Sequence, residues 1–215
     1  MKKYLSFLLI AGLLAALTGC RPAESTDTTP STIPSTVAPT DAPTQGTTET
    51  PTQSTNAAQT DSAKILANIW QAYKDDERFA VYGGAVENSV ADGPGDLDIS
   101  NTEELTGRYL LPEDQLSFVS EAASMVHLMN NNIFTAVVFR LTDKAETESV
   151  AKALRSSVQG NQWICGQPDK LLMADMDDDH LLMVFGSTDA VDTFKAKLAG
   201  AYADADILYE ENIVA

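Results

Sequence analysis

The pattern of apolar and polar positions beyond residue 60 predicts helices and strands in alternation. The first segment places five apolar side chains on one face of a helix: Ile65, Leu66, Ile69, Trp70 and Tyr73. Either Asp61 or Ser62 can cap its first turn, because both side chains accept hydrogen bonds from free backbone amides. We therefore expect an amphipathic helix at the start of the folded part of the chain.

Three further helices are predicted. The segment NTEELTGRYL favours a short helix capped by Thr102, with Glu103 and Glu104 in its first turn. The segment DKAETESVAKALRSSV favours a longer helix, with Asp143 and Glu146 at the spacing of a capping box. The last helix, DAVDTFKAKLAGAYA, is amphipathic through four residues: Val191, Phe194, Leu198 and Tyr202.

Two pairs of strand-like segments predict two hairpins. In the first, LSFVSEAASMVHLM and NIFTAVVFRLT flank the turn NNN, and in the second, DKLLMADM and HLLMVFGST flank a run of aspartates. The glycine-rich stretch VYGGAVENSVADGPGDLDIS, which precedes both hairpins, is predicted to be a loop.

The two hairpins are each followed by a helix and resemble one another. VVFRLTD, from Val137 to Asp143, matches MVFGSTD, from Met183 to Asp189, at four of seven positions with a constant offset of 46. The simplest architecture is a tandem strand-strand-helix unit. We therefore predict an α+β fold, an antiparallel sheet built from two hairpins with its helices on one face, preceded by the N-terminal helix.

The first residues have the pattern of a lipoprotein signal. Lys2 and Lys3 precede an apolar stretch that is short for a membrane span, and Leu17 to Cys20 reads LTGC, which resembles a lipobox. We expect residues 1–19 to be a signal peptide and Cys20 to receive a diacylglyceryl group and further acylation, such as palmitate. Because two acyl chains anchor a protein stably, the mature chain should be lipid-anchored at the extracytoplasmic face of a cell membrane.

Composition divides the rest of the chain in two. Residues 20–61 are dominated by Thr, Ser and Pro, cannot form a core, and are predicted to be a disordered tether. Residues 62–215 are long enough for a single globular domain. That domain is acidic, with 26 Asp and Glu residues against 11 Lys and Arg residues. A net charge of this sign disfavours nucleic acid as a partner.

The order of segments from Asp98 to Leu198 resembles a family of short bacterial lipoproteins that share a domain of unknown function. The likeness lies in EELTGRYLLPEDQLSFVSEAASM, with Glu121, Ala123 and Met125 in a strand, in VVFRLTDKAETESVAKAL, and in an isolated Trp163 before the second hairpin. The resemblance implies a location and a fold. It implies no activity, cofactor or catalytic residue.

The aspartate run before His180 is the strongest candidate for chemistry. Counted from Asp175, an EF-hand loop would place ligands at Asp177 and Asp179, but its sixth residue is His180 instead of glycine and its twelfth is Gly186 instead of glutamate. A hairpin turn explains the run, because aspartate tolerates left-handed dihedrals. We expect no metal site; the candidate ligands of one would be Asp175, Asp177, Asp179 and His180.

Other candidates for catalysis are isolated in the sequence. Cys165 is expected to be a buried, structural thiol; as a nucleophile it would need His127 or His180 as a base. His127 alternates with apolar neighbours, which predicts a sheet-face histidine. The chain has no serine-hydrolase, zinc-protease or phosphate-loop motif.

These observations predict a membrane-tethered module that is not an enzyme and uses no cofactor. Its expected partner, besides the membrane, is a protein, a peptide or a small molecule. The alternative is a lipoprotein enzyme or a metal-dependent factor that uses the loop from Asp175 to His180.

Overall fold

A computed structural model of the chain describes residues 59–176 and 179–214, all within the structural unit Gln53–Ala215. The predicted signal peptide, Cys20, nearly all of the predicted tether, and the turn residues Asp177 and Asp178 lie outside the described residues. The helices are α1 (Asp61–Gln71), α2 (Thr102–Gly107), α3 (Thr147–Gly160) and α4 (Thr188–Ala201). The strands are β1 (Val81–Gly83), β2 (Val90–Ala91), β3 (Gly95–Asp96), β4 (Val119–His127), β5 (Phe134–Leu141), β6 (Lys170–Asp175), β7 (His180–Gly186) and β8 (Asp206–Asn212).

The eight strands form one antiparallel sheet in the order β2, β1, β4, β5, β7, β6, β8, with β3 paired to β4. Both predicted hairpins are present, β4 with β5 and β6 with β7. The two hairpins join through β5 and β7, where Val137 pairs with Met183. The prediction of an α+β fold with an antiparallel sheet is confirmed.

The prediction that the helices share one face of the sheet is wrong. On one face, α3 contributes Val150 and Leu154 to a core that includes Phe139 and Phe185. On the other face, α1 and α4 pack on a second core built on alternate residues of the same strands. The sheet is therefore covered on both sides, which explains why β7 is buried along its whole length.

The crossover connections explain this arrangement. β5 and β6 run in the same direction with β7 between them, and α3 connects them. β7 and β8 are parallel to each other and opposite in direction to β5 and β6. They lie on either side of β6, and α4 connects them. Both connections step toward the β8 edge of the sheet. Crossover connections are right-handed, so the direction of the first strand and the direction of the step across the sheet together fix the face on which the helix lies. The two connections step the same way but begin on strands of opposite direction. Their helices, α3 and α4, therefore lie on opposite faces.

Capping residues differ from the sequence prediction at three helices. Thr60, instead of Asp61 or Ser62, caps α1 by accepting from the Ala63 amide. Asn101, instead of Thr102, caps α2. Asp143 caps a short 3-10 turn that precedes α3, so the predicted capping box with Glu146 does not form. In α4 the predicted apolar face is confirmed, with Val191, Phe194 and Leu198 buried. No helix among the described residues is both long and apolar enough to cross a membrane.

Candidate functional site

The aspartate run closes the β6–β7 hairpin, and its described part has turn geometry. The Met176 amide donates to the His180 carbonyl over an N to O distance of 2.9 Å, and Asp179 has a left-handed φ of 69°. The Asp179 carbonyl also accepts from the Leu141 amide at 2.7 Å, which ties the turn to β5. These features agree with the predicted turn. In residues 59–176 and 179–214, no three His, Cys, Asp or Glu side chains are grouped as metal ligands.

His180 is a buried residue, with 6% of its surface exposed. It pairs across the sheet with Arg140, which in turn pairs with Glu121, so the three form a polar row beneath the start of α1. Burial raises the pKa of Glu121, but polar groups at the start of α1 outweigh burial, first among them the Ser62 amide, which donates to the Glu121 carboxylate at 2.8 Å, and the pKa lies below its ordinary value. This row anchors α1 to the sheet.

Cys165 is exposed, which corrects the prediction of a buried thiol. It follows α3 in a turn where Cys165 has φ 65° and Gly166 has φ 105°. The chain leaves the core here because it must reverse from α3 into β6. Trp163 anchors the turn from within, its ring 5.2 Å from that of Phe185, centroid to centroid.

His127, at the end of β4, orders the tip of the β4–β5 hairpin. Its Nδ1 accepts hydrogen bonds from the amides of Met129 and Asn130, at 3.2 and 3.3 Å. An Nδ1 that accepts carries no proton, so the ring proton of this tautomer is on Nε2. The ring stacks on Phe79 with 5.5 Å between centroids. His127 is thus a sheet-end residue with a structural role in the tip.

Asparagine side chains from the hairpin tip hold the Cys165 turn beside it. The Asn130 Nδ2 donates to the Cys165 carbonyl at 3.2 Å, and the Asn132 Nδ2 donates to the Ile164 carbonyl at 2.8 Å and also to that of Gly166. Two loops that are about 30 residues apart in sequence are therefore fixed as one surface.

Exposed apolar side chains gather on these two loops. Leu128, Met129, Ile133 and Ile164, which we call the tip surface, are 54%, 81%, 40% and 81% exposed. They are four of nine large apolar residues that are exposed among the described residues. Single exposed apolar residues are ordinary, but a cluster held in place by side-chain hydrogen bonds is typical of an interaction site.

A shallow pocket of about 280 Å³ adjoins the tip surface and shares Ile133 with it. Its other lining residues come from the segment after α1, from the end of β4, and from the N-cap and first two turns of α4: Glu77, Phe79, His127, Ser187, Asp189, Ala190 and Thr193. The pocket is open to solvent, and both apolar side chains and carboxylates line it.

The tip surface and the start of α1 lie at opposite ends of the strands. At one end the Ser62 amide donates to Glu121 near the start of β4, and at the other His127 closes that strand. His127 lies six positions after Glu121 in this strand, a distance of about 20 Å. The chain therefore enters the domain, through Thr60, at the end remote from the tip surface.

The tip surface is not evident from the sequence. The available signal was weak: Leu128, Met129 and Ile133 continue the apolar content of two strands up to the NNN turn, and Ile164 is an isolated apolar residue. Their exposure depends on two loops meeting in space, which no local pattern encodes.

No protein-family model, curated protein or solved structure matches the chain. The resemblance to short bacterial lipoproteins therefore stays a prediction.

Proposed function

We propose that this protein is a lipid-anchored, extracytoplasmic binding module that presents the tip surface to a partner. The proposal combines the sequence pattern of Lys2 to Cys20, which predicts anchoring, with the Thr-, Ser- and Pro-rich segment that would hold the domain off the membrane. Because the chain enters the domain at the opposite end of the strands, a tether there would leave the tip surface pointing away from the anchor.

The observation that carries the proposal is the fixed, apolar tip surface. Asn130 and Asn132 hold the turn that carries Ile164 against the hairpin tip that carries Met129, so the two loops are fixed together before any partner binds. Preorganisation of this kind lowers the entropic cost of association. Of the side chains suited to catalysis, His127 and His180 occupy opposite ends of the strands, and Cys165 lies on an exposed turn beside the hairpin tip that His127 orders.

Site-specific photo-crosslinking in cells of the native host tests this function. A photoreactive amino acid replaces Ile164 in the full chain, and a matched chain carries it at Val86, which is 63% exposed but lies outside the tip surface. We expect a discrete crosslinked product only from position 164. The additional change Met129→Ser should reduce that product, because it removes apolar contact area from the same surface. Equal crosslinking at both positions would contradict a binding role for the tip surface.

A further inference from the structure

The pocket beside the tip surface has the chemistry of a subsite for a cationic side chain. Phe79 and Ile133 supply apolar surface, and Glu77 and Asp189 supply carboxylates to the same lining. No lysine or arginine lines the pocket in the described part of the chain. An apolar wall that ends at a carboxylate suits the long aliphatic stem and charged head of lysine or arginine.

Of the two carboxylates that line the pocket, only Glu77 forms an ion pair with a lysine among the described residues. Glu77 is paired with the Lys197 Nζ at 2.6 Å and accepts from the Lys74 amide at 2.8 Å, and these contacts hold its pKa below the ordinary value. Asp189 has no ion-pair partner among residues 59–176 and 179–214. The uncompensated negative charge of the pocket is therefore that of Asp189, in the first turn of α4.

The charge of the domain favours a different protein over a second copy of this chain as the molecule that binds the tip surface. The sequence from Ser62 onward carries 26 acidic and 11 basic residues, so two copies repel one another. A symmetric contact through the tip surface would in addition bring together two copies of Asp189, whereas a basic segment of another protein would neutralise it.

We propose that the tip surface and its pocket bind an extended, basic and apolar peptide segment of a partner protein. Apolar side chains of the segment lie on Leu128, Met129 and Ile164, and a lysine or arginine enters the pocket along Ile133 and pairs with Asp189. This inference rests on the proposed function, because it names the chemistry of the partner that the tip surface binds.

The test uses the full chain carrying Cys20→Ser, so that no detergent competes for apolar peptides. The probe is a seven-residue, fluorescein-labelled peptide with two leucines on one side of a central lysine. A matched peptide carries norleucine, which keeps the aliphatic length of lysine and removes its charge. Binding is measured by fluorescence anisotropy at low ionic strength.

We expect the lysine peptide to bind about threefold to fivefold more tightly than the norleucine peptide, the size of a partly exposed ion pair. Asp189→Asn should abolish that difference without weakening the norleucine peptide. The matched control is Glu148→Gln, which removes an exposed carboxylate from the same helical position in α3 and should preserve the difference. Met129→Ser combined with Ile164→Ser should weaken both peptides.

Three results would overturn the inference. The two peptides could bind equally tightly while the double variant Met129→Ser and Ile164→Ser still weakened both. That result would contradict the cationic subsite and would leave the proposed function supported. If no peptide binding depended on Met129 and Ile164, and crosslinking at positions 164 and 86 were equal, both the cationic subsite and the proposed function would be contradicted. A dimer in sedimentation velocity that the same two substitutions dissociate would identify a second copy as the occupant.

Discussion

At the scale of single residues, Gly83 shows how closely the glycine-rich stretch approaches the sheet. A Cβ at this position would lie 2.2 Å from the Ser124 carbonyl oxygen and 2.4 Å from the Gly95 amide nitrogen. The adjacent Gly84 amide donates to the Ser124 hydroxyl oxygen at 3.1 Å, and that oxygen is 2.8 Å from the Tyr109 hydroxyl. The segment is therefore part of the packed structure, and only its sequence resembles a loop.

Gly83→Ala should lower the free energy of unfolding by about 1 to 3 kcal/mol, because backbone atoms on both sides cannot move away from the added methyl group. Gly93→Ala is the matched control, since a Cβ there meets nothing within 4 Å. Urea unfolding monitored by tryptophan fluorescence measures both variants. A loss below about 0.5 kcal/mol for Gly83→Ala, the size of an ordinary surface change, would show that β1 does not pack as described.

Asp179 is the second residue whose backbone decides what can replace it. With φ at 69°, Asp179→Asn should leave stability nearly unchanged, whereas Asp179→Val should cost about 1 to 2 kcal/mol, since a β-branched residue is strained in left-handed backbone. Denaturant unfolding in metal-free buffer compares the two variants with the wild type.

The same variants address the alternative of a calcium-dependent loop. We expect millimolar calcium to leave the melting temperature of wild type and of Asp179→Asn equal within error. If calcium raised the wild-type melting temperature by several degrees and the variant lost that rise, the aspartate run would be a metal site, because a bound ligand stabilises the folded state by mass action.

At the scale of elements, charged pairs fasten the edge strand β8 to helices on both faces. Arg155 of α3 makes two hydrogen bonds of 2.7 Å to the Glu211 carboxylate. On the opposite face, Glu210 pairs with the Nζ of Lys170 at 2.8 Å and of Lys195 at 2.6 Å. These pairs hold the pKa of Glu210 and of Glu211 below their ordinary value of 4.5.

The lowered pKa values predict how the contribution of Glu211 depends on pH. A carboxyl group with a lower pKa in the folded state stabilises the fold fully above pH 4.5, and this stabilisation disappears as the pH falls through the folded pKa. Glu211→Gln should therefore reduce the melting temperature by about 1 to 3 °C at pH 7. The difference from wild type should disappear in strong acid.

Thermal unfolding followed by circular dichroism between pH 2 and pH 7 measures this difference. Glu148→Gln, which removes a carboxylate from α3 without removing an ion pair, is the control for net charge. A Glu211→Gln difference that stayed constant down to pH 2 would mean that the ion pair with Arg155 does not stabilise the edge strand.

At the scale of the whole molecule, the prediction concerns the anchor. Cys20→Ser removes the thiol that lipidation requires, so the variant should leave the membrane fraction for the medium or remain unprocessed, whereas Cys165→Ser should fractionate like wild type. Immunoblots of membrane and medium fractions measure the distribution. Full membrane retention of a Cys20→Ser chain whose signal peptide has been removed would contradict the lipoprotein prediction.

The local pattern of the sequence was sufficient for the principal elements. Strand-like apolar segments on either side of turn residues predict β4 to β7, and helical spacing of apolar residues predicts α1 and α4, because these patterns are properties of the chain itself. The edge strand β8 was not predicted, since its polar content does not alternate cleanly, and β1 to β3 were taken for a loop because of their glycines.

For the candidate site, the sequence supplied the parts and the fold decided their arrangement. His127, Cys165 and the aspartate run were identified as candidates, but no local pattern states that His180 is buried, that Cys165 is exposed, or that the NNN turn holds the Cys165 turn. Those facts depend on contacts between distant segments.

The sequence by itself therefore determined the acidic character, the two hairpins and the amphipathic helices, all of which follow from composition and periodicity over a few residues. Only the tertiary structure decided that α3 and α4 cover opposite faces, because the direction of a strand and the handedness of the crossover after it fix the face. It also decided where the tip surface lies, since the loops that carry Met129 and Ile164 meet only when β5 and β7 pair and bring both loops to the same end of the sheet.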